Sequence, residues 1–174
     1  MGIFQLNHAV LFVNDLRKSV DFYTNILGFQ QIDMGGLKGA AFLRAEDSTN
    51  DHDLGLFEAP GAASSGAGRT TVGLYHLAWE VDTLDELERT AKRLAEVSAL
   101  GGASDHGTTK SLYGRDPNGI EFEIVWVIPA DLLTPADREA NARIRPLDLA
   151  AEIERFGRDT RGGAGISHQP AAAS

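Results

Sequence analysis

One repeat constrains this chain more than any other feature. At the 68-residue separation of His8 from His76, "LNHAVLFVNDL" (Leu6–Leu16) lies over "LYHLAWEVDTL" (Leu74–Leu84), matching at Leu, His, Val, Asn/Asp and Leu. A constant offset across a whole strand-to-helix passage marks a duplicated supersecondary unit. Each copy alternates apolar and polar like a strand and then changes to helical spacing. In the first copy Asn14 is the expected cap, and Leu16, Val20, Tyr23 and Leu27 form an apolar stripe that Gly28 ends. In the second, Thr83 and Glu86 make the expected capping box, with Leu84, Leu87, Ala91 and Leu94 facing inward.

Strand-like runs follow each helix. After the first come "FQQIDM", "GAAFLRAE" and "HDLGLFEA"; after the second come a weak run near Gly102–Asp105, then "KSLYGRD" and "IEFEIVWV". Asp116-Pro117-Asn118-Gly119 is a turn between the last two. The closing strands echo one another, as "LFE" ending at Glu58 and "EFE" ending at Glu123. The expected fold is therefore α+β, with two βαβββ modules at about residues 4–60 and 72–128. Each module curls into half of an open barrel-like cleft, so residues 1–129 form one two-module domain. "PGAASSGAGRTT" reads as a flexible linker.

Residues 130–160 read as a helical tail, with caps at Thr134 and near Leu147–Asp148 and a stripe of Leu149, Ile153 and Phe156. So few apolar residues must dock on the barrel or on a second copy, so residues 131–157 are expected to be ordered and buried. Residues 161–174 are expected to be disordered.

Composition narrows the function. A formal charge of −9 argues against nucleic acid or an anionic membrane as partner. With no cysteine, disulfides, thiolate metal sites and a Cys nucleophile are excluded. The start passes directly into a strand pattern, and no apolar run approaches membrane-span length, so a cytoplasmic location is expected.

The candidate chemistry lies where equivalent positions of the two copies would meet. His8 and His76 are equivalent and lie on apolar strand faces, where an unsatisfied imidazole would cost about 1–3 kcal/mol. Glu123 lies in a run apolar enough to force its carboxylate to find a cation or donors. Two neutral imidazoles and one carboxylate suit Fe(II) with positions left open, although Zn, Mn or Ni could use the same groups. Glu121 shares Glu123's parity but follows the turn directly, which favours exposure.

His8, His76 and Glu123 on paired βαβββ units resemble the metal site of the vicinal oxygen chelate superfamily. That superfamily spans glyoxalases, bleomycin-resistance proteins, fosfomycin-modifying enzymes and extradiol dioxygenases. "HGTTKSLYGRDPNGIEFEIVW" is similar to the extradiol signature at His106, Leu112, Tyr113, Asp116, Pro117, Gly119 and Glu123. It departs at Ser104, where that signature has Gly, Asn, Thr, Ile or Val. The resemblance implies an Fe(II)- and O2-dependent ring-cleavage dioxygenase of catechol-like aromatics, usually a homodimer. It also implies that His106 and Tyr113 hydrogen-bond the substrate, and that His52, opening "HDLGLF", is the acid/base. Its 24-residue distance from His76 exceeds the signature's, and the Gly-Ala-Ser insert accounts for the excess. His168 falls in the tail and is expected to be inert.

Two alternatives stay open. Glu58 could be a fourth metal ligand, giving a glyoxalase-like lyase or isomerase; His52 and Glu58 share strand parity, so alternation does not choose between them. The other is a dimeric drug-binding protein of the bleomycin-resistance kind, which needs no metal ligands.

Overall fold

The computed structural model describes residues 2–3, 5–66, 72–141 and 143–163. It divides into two units, Met1–Val72 with Asp116–Ile120, and Gly73–Arg115 with Glu121–Ser174.

The first unit contains β1 (Ala9–Val13), α1 (Leu16–Asn25), β2 (Gln30–Ile32), β3 (Ala40–Arg44) and β4 (Leu54–Glu58). Its four-stranded sheet runs β1-β4-β3-β2, with β1 parallel to β4 and the other pairs antiparallel. Strand alternation sends Leu11, Val13, Leu43, Leu54 and Leu56 to the face that α1 covers, where all are buried. Each such side chain contributes about 1.5–3 kcal/mol by leaving water. The opposite face carries His8, Val10 and Phe12. It is open rather than buried, with Leu6 77% exposed, Val10 53% and Phe12 76%.

The cap of α1 is Asp15, whose carboxylate accepts from the Lys18 N–H at 2.9 Å. Asn14, the expected cap, instead donates through its side chain to the Ala62 carbonyl. The buried stripe is Ser19, Phe22 and Tyr23, so it shares only Tyr23 with the stripe read from the leucines. Ser19 is tolerated inside because its Oγ donates to the Asp15 carbonyl and accepts from Asn118 Nδ2. The Asp116–Ile120 turn is held by Asp116, which accepts from the N–H groups of Asn118 and Ile120 and from Tyr23 Oη. Burial, and next the Asp116 charge, push the Tyr23 hydroxyl well above its ordinary pKa.

The second unit contains β5 (His76–Glu80), α2 (Leu84–Glu96), β6 (Leu100–Asp105), β7 (Thr109–Arg115), β8 (Glu121–Val127), α3 (Pro135–Ala140), β9 (Arg145–Pro146) and α4 (Leu149–Phe156). Its five-stranded sheet runs β5-β8-β7-β6-β9, with β5 parallel to β8. The weak run near Gly102 is thus a six-residue strand. Thr83 caps α2 by accepting from the Glu86 N–H, and Leu84, Leu87, Thr90 and Leu94 are its buried residues. Thr90 takes the inward place expected of Ala91, with its Oγ donating to Glu86.

The tail docks on this unit. Helix α4 packs on α2, the Phe156 ring lies 5.4 Å from that of Trp126, and Trp126 Nε1 donates to the Thr160 carbonyl. The stripe on α4 is half-buried, and Arg155 crosses the outer part of it, 4.3 Å over the Phe156 ring. Beneath the tail, Lys110 is fully buried between Asp105 at 2.6 Å and Glu152 at 3.3 Å. The path is held past the expected end of order, since Gly162 and Gly163 donate to the carbonyls of Asp82 and Val127. Residues 164–174, expected to be disordered, lie outside the described residues, as does His168. No helix among the described residues is long and apolar enough to cross a membrane.

Candidate metal and substrate site

In the second unit, register brings three candidate side chains, His76, Glu123 and Tyr113, into one line. β8 lies between β5 and β7, so Glu123 is flanked by Ala78 on one side and Tyr113 on the other. His76, two residues back along β5, puts Nε2 at 3.1 Å from Glu123 Oε2. Tyr113 Oη donates to the other carboxylate oxygen at a longer 3.3 Å, and His106 Nε2 lies 2.8 Å from the same hydroxyl. A carboxylate only accepts, so the phenolic proton belongs on the Glu123 side and His106 must carry its proton on Nε2. Burial, and next the Glu123 charge, push the Tyr113 hydroxyl up to about 12, so it remains a neutral donor at ordinary pH. A cavity of about 650 Å³ opens beside these groups, lined by His76, His106, Tyr113, Gly102, Tyr75 and Ile144 among others.

An imidazole nitrogen and a carboxylate oxygen are donors of the kind that divalent metals take. Two donors each about 2.1 Å from an ion at right angles stand about 3 Å apart, and His76 Nε2 and Glu123 Oε2 have that spacing. The other ring nitrogen, His76 Nδ1, is buried without a hydrogen-bond partner in the structure.

In the first unit, His8 and His52 lie together, their ring centroids 4.5 Å apart, and His52 also meets Phe42 at 5.1 Å. His8 is exposed, and its Nδ1 lies 2.7 Å from Asn7 Oδ1. Burial therefore does not compel a partner for it, contrary to the sequence argument. His52 Nδ1 is buried and has no hydrogen-bond partner in the structure. His52 precedes β4, and the bend at Asp53 breaks the alternation that gave it Glu58's parity.

Glu58 pairs with Val13 on the face that α1 covers, and its Oε1 accepts from the Leu16 N–H at 3.3 Å. It therefore lies beside the first turn of α1 rather than on the face that carries His8. The position equivalent to Glu123 is Gly55, set between Val10 and Phe42 as Glu123 is between Ala78 and Tyr113. The 68-residue offset carried on to Glu123 also lands on Gly55, so the "LFE"/"EFE" echo is three residues out of register. Sequence reading also missed Lys110, whose partners Asp105 and Glu152 carry no local signal. Among the described residues, no group of three or more His, Asp or Glu side chains is gathered closely enough to hold a metal by itself.

Each unit is a βαβββ module with a histidine at or just before its first strand, and the second also carries a strand carboxylate. The chain belongs to the Glyoxalase/Bleomycin resistance protein/Dioxygenase superfamily, whose model matches residues 5–124. A manganese-dependent 2,3-dihydroxybiphenyl 1,2-dioxygenase from Geobacillus genomosp. 3 is 31% identical over 128 residues, covering 71% of this chain and 37% of that protein. A lactoylglutathione lyase from Neisseria meningitidis serogroup A is 31% identical over 126 residues, covering 70% of this chain and 89% of that protein. The crystal structure of a glyoxylase/bleomycin resistance protein/dioxygenase domain from Frankia sp. EAN1pec superposes with a TM-score of 0.60 at 24% identity, covering 73% of this chain and 94% of that one. The chain thus spans little more than a third of that dioxygenase and nearly all of the lyase. The homologues are mostly metal-dependent enzymes, with dioxygenases and lyases among them.

Proposed function

We propose that this protein is an extradiol-type ring-cleavage dioxygenase that opens catechol-like aromatics with Fe(II) and O2. The observation that carries the reading is the line His106–Tyr113–Glu123–His76, which couples two hydrogen-bonding groups to a metal-type pair. His76 and Glu123 would hold the ion, with His8 as third ligand from the equivalent strand. Bound there, Fe(II) would lower the pKa of the two substrate hydroxyls and bring catechol and dioxygen together. His52 would take a proton from a substrate hydroxyl and return it later. His106 Nε2–H and Tyr113 Oη would hold the substrate oxygens. The expected partners are a small aromatic, dioxygen and a second copy of the chain.

The glyoxalase-like reading, with Zn or Ni and four ligands, draws on the coverage of the lyase, but Glu58 faces α1 and Gly55 supplies no carboxylate. Three protein ligands leave positions free for a bidentate substrate and for oxygen. The test is anaerobic loading with Fe(II), then a panel of catechols in air, followed by the yellow ring-fission product. A full iron site that yields none from any catechol would sink the dioxygenase reading. Turnover of the glutathione hemithioacetal of an α-keto aldehyde by Zn- or Ni-loaded protein would establish the lyase instead. Tight binding of a flat cationic drug by metal-free protein would favour the binder.

A further inference from the structure

We propose that the C-terminal tail is a positioning element of the site: Arg145 and the end of α3 lock the Asp105–Thr109 turn so that His106 keeps its Nε2–H on Tyr113. The proposal rests on the dioxygenase reading only for the activity that His106 serves.

The turn is short. His106, Gly107 and Thr108 alone connect β6 to β7, with the His106 N–H donating to the Thr109 carbonyl and the Thr108 N–H to that of His106. Asp105, just before His106, is buried, and both its oxygens are occupied. Oδ1 accepts from the Gly107 N–H at 2.8 Å and Lys110 Nζ at 2.6 Å; Oδ2 accepts from Arg145 at 2.6 Å. Arg145 reaches it because β9 lies antiparallel to β6 with Arg145 opposite Asp105.

The other side of the turn meets α3. Gly107 has φ +79°, and a Cβ there would lie 2.4 Å from the Asp137 carbonyl oxygen and 2.8 Å from the Asn141 nitrogen. Only glycine allows that backbone conformation together with that approach. Thr108 Oγ1 donates to Asn141 Oδ1 at 2.7 Å. Arg155 of α4 then grips Asp137 with two bonds, at 2.8 and 2.6 Å, and Glu152 of the same helix returns to Lys110 at 3.3 Å. The contacts thus form a ring from Asp105 through the tail and back to the turn.

Burying charge is costly, and apolar packing would avoid that cost. What the charges add is direction, since a carboxylate with both oxygens assigned fixes the backbone on which His106 stands. The bonds from Asn141, Arg145, Glu152 and Arg155 reach Thr108, Asp105, Lys110 and Asp137, so they bear on the site through His106. A displacement of about 1 Å in such a group can cost about a hundredfold in rate.

The experiment uses the whole chain at pH 8. Long-range 15N–1H NMR reads the His106 ring, its signal assigned by loss in His106→Gln. Wild type should show one tautomer, with the proton on Nε2. Arg145→Ala should give a mixture of tautomers, Arg145→Lys should restore much of the single form, and iron content should stay within twofold. In the catechol assay Arg145→Ala should lose about ten- to a hundredfold in kcat with KM little changed. Should Arg145→Ala fail to fold, Asn141→Ala tests the same grip from α3 on an exposed side chain. An unchanged His106 spectrum in a folded variant would overturn the proposal. The NMR result stands whether or not any catechol is cleaved, so failure of the dioxygenase reading is distinguishable from failure of the positioning.

Discussion

The two units place corresponding residues at corresponding points of their sheets. In the first the row reads Val10, Gly55, Phe42; in the second it reads Ala78, Glu123, Tyr113. The backbone pairing is the same, yet only the second row carries a carboxylate and a hydroxyl that hydrogen-bond each other. The units differ on the helix side too. The first is lined by Leu11, Leu43, Leu54 and Leu56, whereas the second buries Lys110 among acidic partners supplied partly by the tail. The repeated scaffold thus carries different side chains at its two matching rows.

The comparison breaks most sharply at Glu123. Glu123→Ala should abolish iron retention, by metal analysis, and cost activity beyond the ~10–100-fold typical of residues that only support a ligand. Gly55→Ala, the matching change in the first unit, should leave both within a few-fold, because its Cβ would meet Val10 and Phe42 at ordinary contact distances. Equal losses from the two would mean that the asymmetry is misread.

Next in size is the buried charge. Asp105→Ala leaves Lys110 with Glu152 and the Gly107 carbonyl, and breaking such an ion pair costs roughly 3–5 kcal/mol, readable as a lower urea midpoint. A change below about 1 kcal/mol would show that water reaches Lys110. Tyr113→Phe, which gives the second unit the residue found at Phe42, should keep the metal and cost about 1 kcal/mol in stability. Its effect on kcat should be tenfold or more, while Phe42→Tyr should change neither quantity appreciably.

The smallest expected effect is acid loosening of the tail. Hydrogen bonds from Arg155 hold the Asp137 carboxyl well below the usual carboxylate range. A depressed folded-state pKa contributes stability above the unfolded value of about 4 and loses it as pH falls below that. Trp126 fluorescence in a Trp79→Phe background should therefore report tail release in acid before the first unit unfolds. A single transition shared by both units would refute that order.

Much of this arrangement was legible in the sequence. The 68-residue offset located both units, and strand parity together with the hairpin signature singled out His76, His106, Tyr113 and Glu123. Glu58 was singled out by a three-letter echo, whereas strand register follows the offset, which lands on Gly55. His52 and its face depended on a bend at Asp53 that alternation does not contain. The tail's hold on Asp105 joins residues 40 apart through a two-residue strand, too short to leave a pattern. The burial of Lys110 left no local signal, because its enclosing acids stand at 105 and 152.

That two-residue strand has one more consequence, for solubility. Without β9, β6 would be the rim of its sheet, a row of unpaired amides flanked by the small side chains of Gly101, Gly102 and Ala103. Such a rim templates pairing with other molecules. β9 covers its end opposite Ser104 and Asp105, and it finishes in Pro146, which has no N–H to extend the ladder outward. The chain thus carries its own stopper against stacking sheet on sheet. A version ending at Pro129 should begin to aggregate through β6 at concentrations where the full chain stays dispersed.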